Sequence, residues 1–204
     1  MRRTMGALLA MVLVLALSGC VPVESMHPFW SQDKLVQEPA IVGTWIAEEK
    51  PGATNLVLRF EESGAGYLVS FYSTRPDKSW KFAKDWAVQF DGRLVRLGGS
   101  LFLDLYPKAV AFKDKPAIEE EVFIFFRPVH TLYRIRLEGD ALAVDFLDDD
   151  WLKEKVKEKQ LAVKQEEVSH GYLLTASTEE LQELVAQLVP EMQPIDELPF
   201  RRQK

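Results

Sequence analysis

One cysteine, three histidines and no uninterrupted apolar run of about 18 residues after position 20 exclude a good deal about this 204-residue chain. A single cysteine, Cys20, cannot form an internal disulfide, so the folded part stands on packing alone. His27, His130 and His170 are scattered, with no His-x-x-x-His or His-Glu spacing to set two metal ligands on one helical face. Each reads as a surface or hydrogen-bonded histidine. No Gly-x-Ser-x-Gly elbow presents a serine nucleophile, so the expectation is a protein without catalytic residues, metal or cofactor. Basic residues are outnumbered 25 to 31, a net charge of −6, which argues against a nucleic-acid partner and against a polybasic membrane contact. Asp148, Asp149 and Asp150 are consecutive and lack the spaced ligands of a Ca²⁺-binding loop, so they read as helix-capping charge.

The first twenty residues are the most informative stretch. Arg2 and Arg3 precede an apolar run from Ala7 to Leu17 that is too short to span a bilayer, the pattern of a secretory signal peptide. Its ending, Leu17-Ser18-Gly19-Cys20, resembles the lipobox of bacterial lipoproteins. That resemblance implies a diacylglycerol with palmitate-type acyl chains on the Cys20 thiol, cleavage before Cys20 and acylation of the new amino terminus. Val21 rather than aspartate after the cysteine is similar to outer-membrane sorting in enteric lipoproteins. The chain then divides into a signal peptide (1–19), a lipidated cysteine and tether (20–40), a β-rich domain with C-terminal helices (41–190) and a loose tail (191–204). Cleavage would leave 185 of the 204 residues, enough for one well-filled core, and would take the net charge from −6 to −8. One acyl chain anchors only marginally; two or more, at about 0.8 kcal/mol per buried CH₂, anchor stably.

Pro22, Pro28 and Pro39 give residues 21–40 the look of an extended tether, with an end-to-end distance of about 25 Å as a flexible coil, and a chain starting near Gln37 is expected to fold without it. Phe29 and Trp30 would dock on the domain or rest at the lipid interface. From Val42 onward, short alternating runs with turn residues between them predict about nine antiparallel strands, in a barrel or a sandwich. Asn55–Glu61 and Tyr67–Tyr72 flank a turn at residues 63–66. Asp91-Gly92, the strongest short hairpin signal, separates strands 86–90 and 93–97. Gly98-Gly99 turns into Leu101–Tyr106, which Pro107 ends; Lys108–Glu121 reads as a loop, and Val122–Phe126 as a strand apolar on both faces. His130–Leu137 and Ala141–Phe146 pair across Glu138-Gly139-Asp140. A helix follows the aspartates, and a second opens with the capping box Ser177-Thr178-Glu179-Glu180, burying Leu181, Leu184, Val185 and Leu188.

Gly43-Thr44-Trp45 opening this meander resembles the Gly-x-Trp start of lipocalins and related calycin barrels. The resemblance implies a tryptophan closing the barrel base under an arginine from a late strand, for which Arg134 or Arg136 could serve. No Thr-Asp-Tyr motif follows, and two helices rather than one come after the strands. Asp104, in an otherwise apolar strand, is placed opposite to Leu103 and is expected at solvent or paired with a base such as Arg127. Tyr133 and Phe125, with Phe123, Phe126, Trp80 and Trp86, are candidates to line an apolar pocket or simply to pack the core. Two functions stay open, a non-enzymatic barrel holding an apolar small molecule or a packed barrel whose surface meets another envelope protein, with an enzyme of unknown type as a minority third.

Overall fold

The computed structural model describes residues 23–48, 55–74, 86–112, 115–118, 128–146, 149–159, 161–168, 171–192 and 198–203. These residues are mainly β, with twelve strands in one sheet: β1 (Glu24–Ser25), β2 (Gly43–Glu48), β3 (Asn55–Ser63), β4 (Gly66–Thr74), β5 (Trp86–Leu97), β6 (Ser100–Phe112), β7 (Lys115–Ile118), β8 (His130–Glu138), β9 (Ala141–Phe146), β10 (Gln165–Val168), β11 (Gly171–Leu174) and β12 (Leu198–Arg202). Eight of them close an antiparallel barrel in the order β8-β9-β12-β2-β3-β4-β5-β6, because β6 returns to β8 through pairs running from Leu101 with Ile135 to Leu105 with Thr131. β1, β11 and β10 extend the sheet beyond β8, and β7 extends it beyond β6. Two helices, α1 (Asp149–Glu158) and α2 (Thr178–Leu188), follow the main strands. A closed antiparallel barrel is consistent with the calycin-like expectation.

Alternation sends two sets of side chains to two apolar layers. Trp45, Phe60, Tyr67, Leu94, Leu103, Ile135, Leu142 and Phe200 fill the barrel. Val95, Leu97, Phe102 and Leu132 point the other way, outward, and are buried under Leu181, Leu184, Val185 and Leu188 of α2 together with Val23, Phe29 and Leu174. This second layer is why β6 is apolar on both faces. The α2 cap forms as the sequence predicts: the Ser177 hydroxyl accepts from the Glu180 N–H, and the Glu180 carboxylate accepts from the Ser177 N–H.

Three expectations about β5, β6 and β7 need correction. The chain does not turn at Asp91-Gly92; β5 runs through it, with Gly92 opposite both Tyr67 and Leu105. A Cβ on Gly92 would lie 2.7 Å from Val69 Cγ2 and 3.3 Å from Leu103 Cδ1, so glycine is there because opposing side chains crowd the inner wall. The reversal comes at Gly98-Gly99, where both residues have positive φ, 54° and 85°. Nor does Pro107 end β6. It faces Phe90 at a register shift that leaves Lys108 without a partner across the ladder, a bulge where a missing N–H costs little. The expected loop Lys108–Glu121 therefore supplies the end of β6 and all of β7. The expected strand 122–126 lies outside the described residues.

The ends of the described chain are also not loose. The supposed tail supplies β12, which pairs with β9 on one side and β2 on the other. The supposed tether begins as β1 and continues as a strap over the outer barrel wall, with Phe29 fully buried. A chain starting at Gln37 would lose Val23 and Phe29 from the outer layer, so the folding unit includes Val23.

Two kinds of substitution test this packing by urea denaturation. Gly92→Ala should cost about 1–3 kcal/mol through overpacking of the inner wall. On the outer wall, Leu184→Ala should cost about 2–5 kcal/mol and Ser177→Ala about 1 kcal/mol. A Leu184→Ala midpoint equal to wild type would mean that α2 is not docked.

Candidate functional site

Register places the ends Glu48, Asn55, Thr74, Trp86, Phe112 and Phe146 at one end of the barrel, and the tight turns after Ser63, Leu97 and Glu138 at the other. The tight-turn end is closed by a 3₁₀ turn (Pro39–Ile41) and by Trp45. The buried indole donates from Nε1 to the Ile41 carbonyl at 2.7 Å. An arginine does pack over it, but it is Arg202 of β12, whose guanidinium carbon sits 4.2 Å from the ring centroid. Arg202 also donates to the Val42 carbonyl at 2.8 Å and to the Ala40 carbonyl. Arg134 and Arg136 cannot serve, since alternation along β8 turns Tyr133, Ile135 and Leu137 inward and these two outward. Both meet buried Asp145, Arg134 through Nε at 2.8 Å and Arg136 through Nη2 at 3.2 Å.

Asp104 does alternate away from Leu103, yet it is only 1% exposed, because the strap covers that wall. Its carboxylate accepts from the Phe29 N–H at 2.7 Å and meets His130 Nδ1 at 2.7 Å. The His130 ring lies tilted on Tyr106, 4.7 Å between centroids. From the other side, Gln182 Nε2 donates to the Phe29 carbonyl at 3.2 Å and the Ser31 hydroxyl at 3.1 Å, and the Thr178 hydroxyl donates to the Pro28 carbonyl at 2.9 Å. The strap is thus held between α2 and the barrel. Arg127, the partner expected for Asp104, lies outside the described residues.

Where the β6–β8 ladder ends at Leu101 and Ile135, the wall opens into a cleft of about 640 Å³. Arg96, Arg134 and Arg136 give it a basic side, the partly exposed Leu101 and Leu137 an apolar one, and Glu38 is the only acid among the described residues that line it. Arg134 is fixed further by donating from Nη1 to the Met192 carbonyl at 3.0 Å. Among its described lining residues no nucleophile stands beside a base. It suits an acidic group next to an apolar one.

Of the residues singled out from sequence, Tyr133 points inward from β8 against the barrel cluster, opposite Leu103 and Phe146 in the ladders. Cys20, Phe125 and His170 lie outside the described residues. His27 is exposed, and Asp150 pairs with Lys153 at 3.1 Å. Among the described residues no group of three His, Cys, Asp or Glu side chains is placed to hold a metal ion. Sequence reasoning missed Arg202 and the Phe29–Asp104 contact. The only local signal for either was a buried-type residue in a supposed loose segment. Comparison with known proteins finds no relative: no family model matches the chain, and no curated protein or solved structure does.

Burial raises the Tyr133 phenol above its ordinary value of 10.0, with a hydrogen bond to Thr131 working against the shift. The folded state therefore favours the neutral phenol. Its contribution is fully present below the ordinary value and is lost as pH rises through the folded-state value. Tyr133→Phe should flatten the fall of the urea midpoint above about pH 10 and remove a late-titrating phenol from the ultraviolet titration. Tyr67, raised mainly by burial as well, should still titrate late in the variant.

Proposed function

We propose that this chain is a lipoprotein of the cell envelope, held at the outer membrane by acyl chains on Cys20, whose barrel serves as an interaction module for another envelope protein. The observation that carries the second half is the filled interior: Trp45, Phe60, Tyr67, Leu94, Leu103 and Phe200 are each at most 2% exposed and belong to one contiguous cluster. An eight-stranded barrel can either fill its inside with side chains or hold one small ligand. Filling by this many large residues leaves recognition to the outer surface. There the Arg96–Arg134–Arg136 cleft offers charge and apolar area together, the complement of an acidic partner segment with a neighbouring apolar side chain.

A second reading, a carrier of an apolar small molecule touched by Tyr133 and Phe125, is favoured by one observation, the inward direction of Tyr133. The two readings separate on one set of variants. For the packed module, the wild type should show no saturable binding of an apolar fluorophore, and Phe60→Ala and Phe200→Ala should each cost about 3–5 kcal/mol by denaturation. Saturable fluorophore binding that Tyr133→Ala weakens without moving the denaturation midpoint would favour the carrier instead. The anchor has its own check: Cys20→Ala should leave the membrane fraction after carbonate washing, and retention of that variant would sink the lipobox reading.

A further inference from the structure

Only Val21 and Pro22 separate Cys20 from Val23, and Val23 is already part of the folded domain. It is 1% exposed in the outer apolar layer, and the next two residues form β1, paired on both sides: Glu24 stands opposite Leu173 of β11 and Thr131 of β8. The Ser25 hydroxyl donates to the Leu174 carbonyl at 3.3 Å, and the Met26 N–H donates to the same carbonyl at 2.9 Å. The leash is therefore not twenty residues of coil. From Cys20 to Val23 the chain can reach at most about 11 Å.

We infer that the domain is held side-on against the bilayer, with the side sheet of β1, β11 and β10 and helix α1 as its membrane-facing side, so that the partner of that surface is the lipid headgroup layer itself. The inference rests on lipidation at Cys20. A domain of this size has a radius of gyration of about 16 Å, so a leash this short cannot bring its far wall to the membrane. The surface where the leash arrives is also of the right kind. Met26, 52% exposed, is one of two large apolar side chains left in solvent among the described residues. In the β1–β11 register, Tyr172 is the residue beside Val23, and Lys153 Nζ of α1 lies 4.5 Å from its ring centroid. Acids share this side, with Glu166 and Glu167 of β10 and Glu154 of α1 exposed and Lys153 paired with Asp150, so it is the short leash with Met26 and Tyr172, not net positive charge, that would hold it at the headgroup level. The far wall is equally defined: β3 is four strands from β8 in either direction around the barrel, so the β3–β4 turn at Gly64-Ala65 points away from the leash.

Because the only native cysteine would carry the lipid, the full-length protein can take one further cysteine as a labelling site. Met26→Cys, Glu167→Cys and Ala65→Cys proteins, each bearing a thiol-reactive fluorophore, are reconstituted in vesicles of phosphatidylethanolamine and phosphatidylglycerol containing a headgroup-attached quencher. Labels at 26 and 167 should be quenched several-fold more than the label at 65. Inserting ten Gly and Ser residues between Val21 and Pro22 should bring that ratio towards one. Equal quenching at all three sites in protein that floats with the vesicles would overturn the side-on arrangement while leaving the anchor intact. Protein that does not float would overturn the anchor and the arrangement with it.

Discussion

Closure of the barrel depends on one short strand made from the end of the chain. β12 fills the gap between β9 and β2 with four backbone pairs to the first, Leu198 with Val144 through Arg201 with Ala141, and two to the second. Without it both neighbours would present open edges, which invite pairing with other chains. Arg202 then ties the seam to the barrel floor through Trp45, Val42 and Ala40, while the Arg202 N–H donates to the Asp140 carbonyl at 3.0 Å. The Trp45–Arg202 contact joins residues at opposite ends of the sequence. The native barrel therefore waits for a long-range pairing, the kind of closure that slows folding.

That dependence separates what could be read in the chain from what could not. The β8–β9 hairpin, the Gly98-Gly99 turn and the α2 capping box were legible because each is decided by residues close in sequence. Trp45 as a plug was legible too, though not its arginine, since nothing near Arg202 distinguishes a closing strand from a tail. Asp91-Gly92 and Pro107 misled for the converse reason. Their local preference is for a turn and a stop, yet the partners across the barrel, Val69 and Leu103 at one and a bulged ladder at the other, give glycine and proline different tasks. The cleft was illegible, since it brings Arg96 and Arg136 together with Glu38 from three separate stretches.

Two acids buried on the outer wall, Asp104 and Asp145, show how the covering layer was specified. Asp145 is compensated by Arg134 and Arg136 from the neighbouring strand, a solution available to the barrel alone. Asp104 is different. One of its two partners, the Phe29 N–H, comes from the strap, so a bare barrel would leave this carboxylate less satisfied, and desolvating such a group uncompensated costs several kcal/mol. Strap and wall thus require each other: Phe29 fills the outer layer while its backbone satisfies Asp104, and Gln182 secures the same residue from α2.

Followed from its start, the strap meets the side sheet, the outer wall, the cleft and the barrel floor in turn. Val23 and β1 meet the side sheet, Phe29 meets Asp104, and Leu35 bridges to Val95 of β5. Glu38 and Ala40 then line the cleft, and the Ile41 carbonyl receives the Trp45 indole. Residues 23–41 are thus tied to the domain at intervals from Val23 to the barrel floor. A barrel filled with aromatic and branched side chains adds no slack of its own. With Cys20 in the membrane, such a frame would hold the basic cleft at a set height and orientation above the bilayer, limiting a cleft-bound partner to those that can present an acidic segment there.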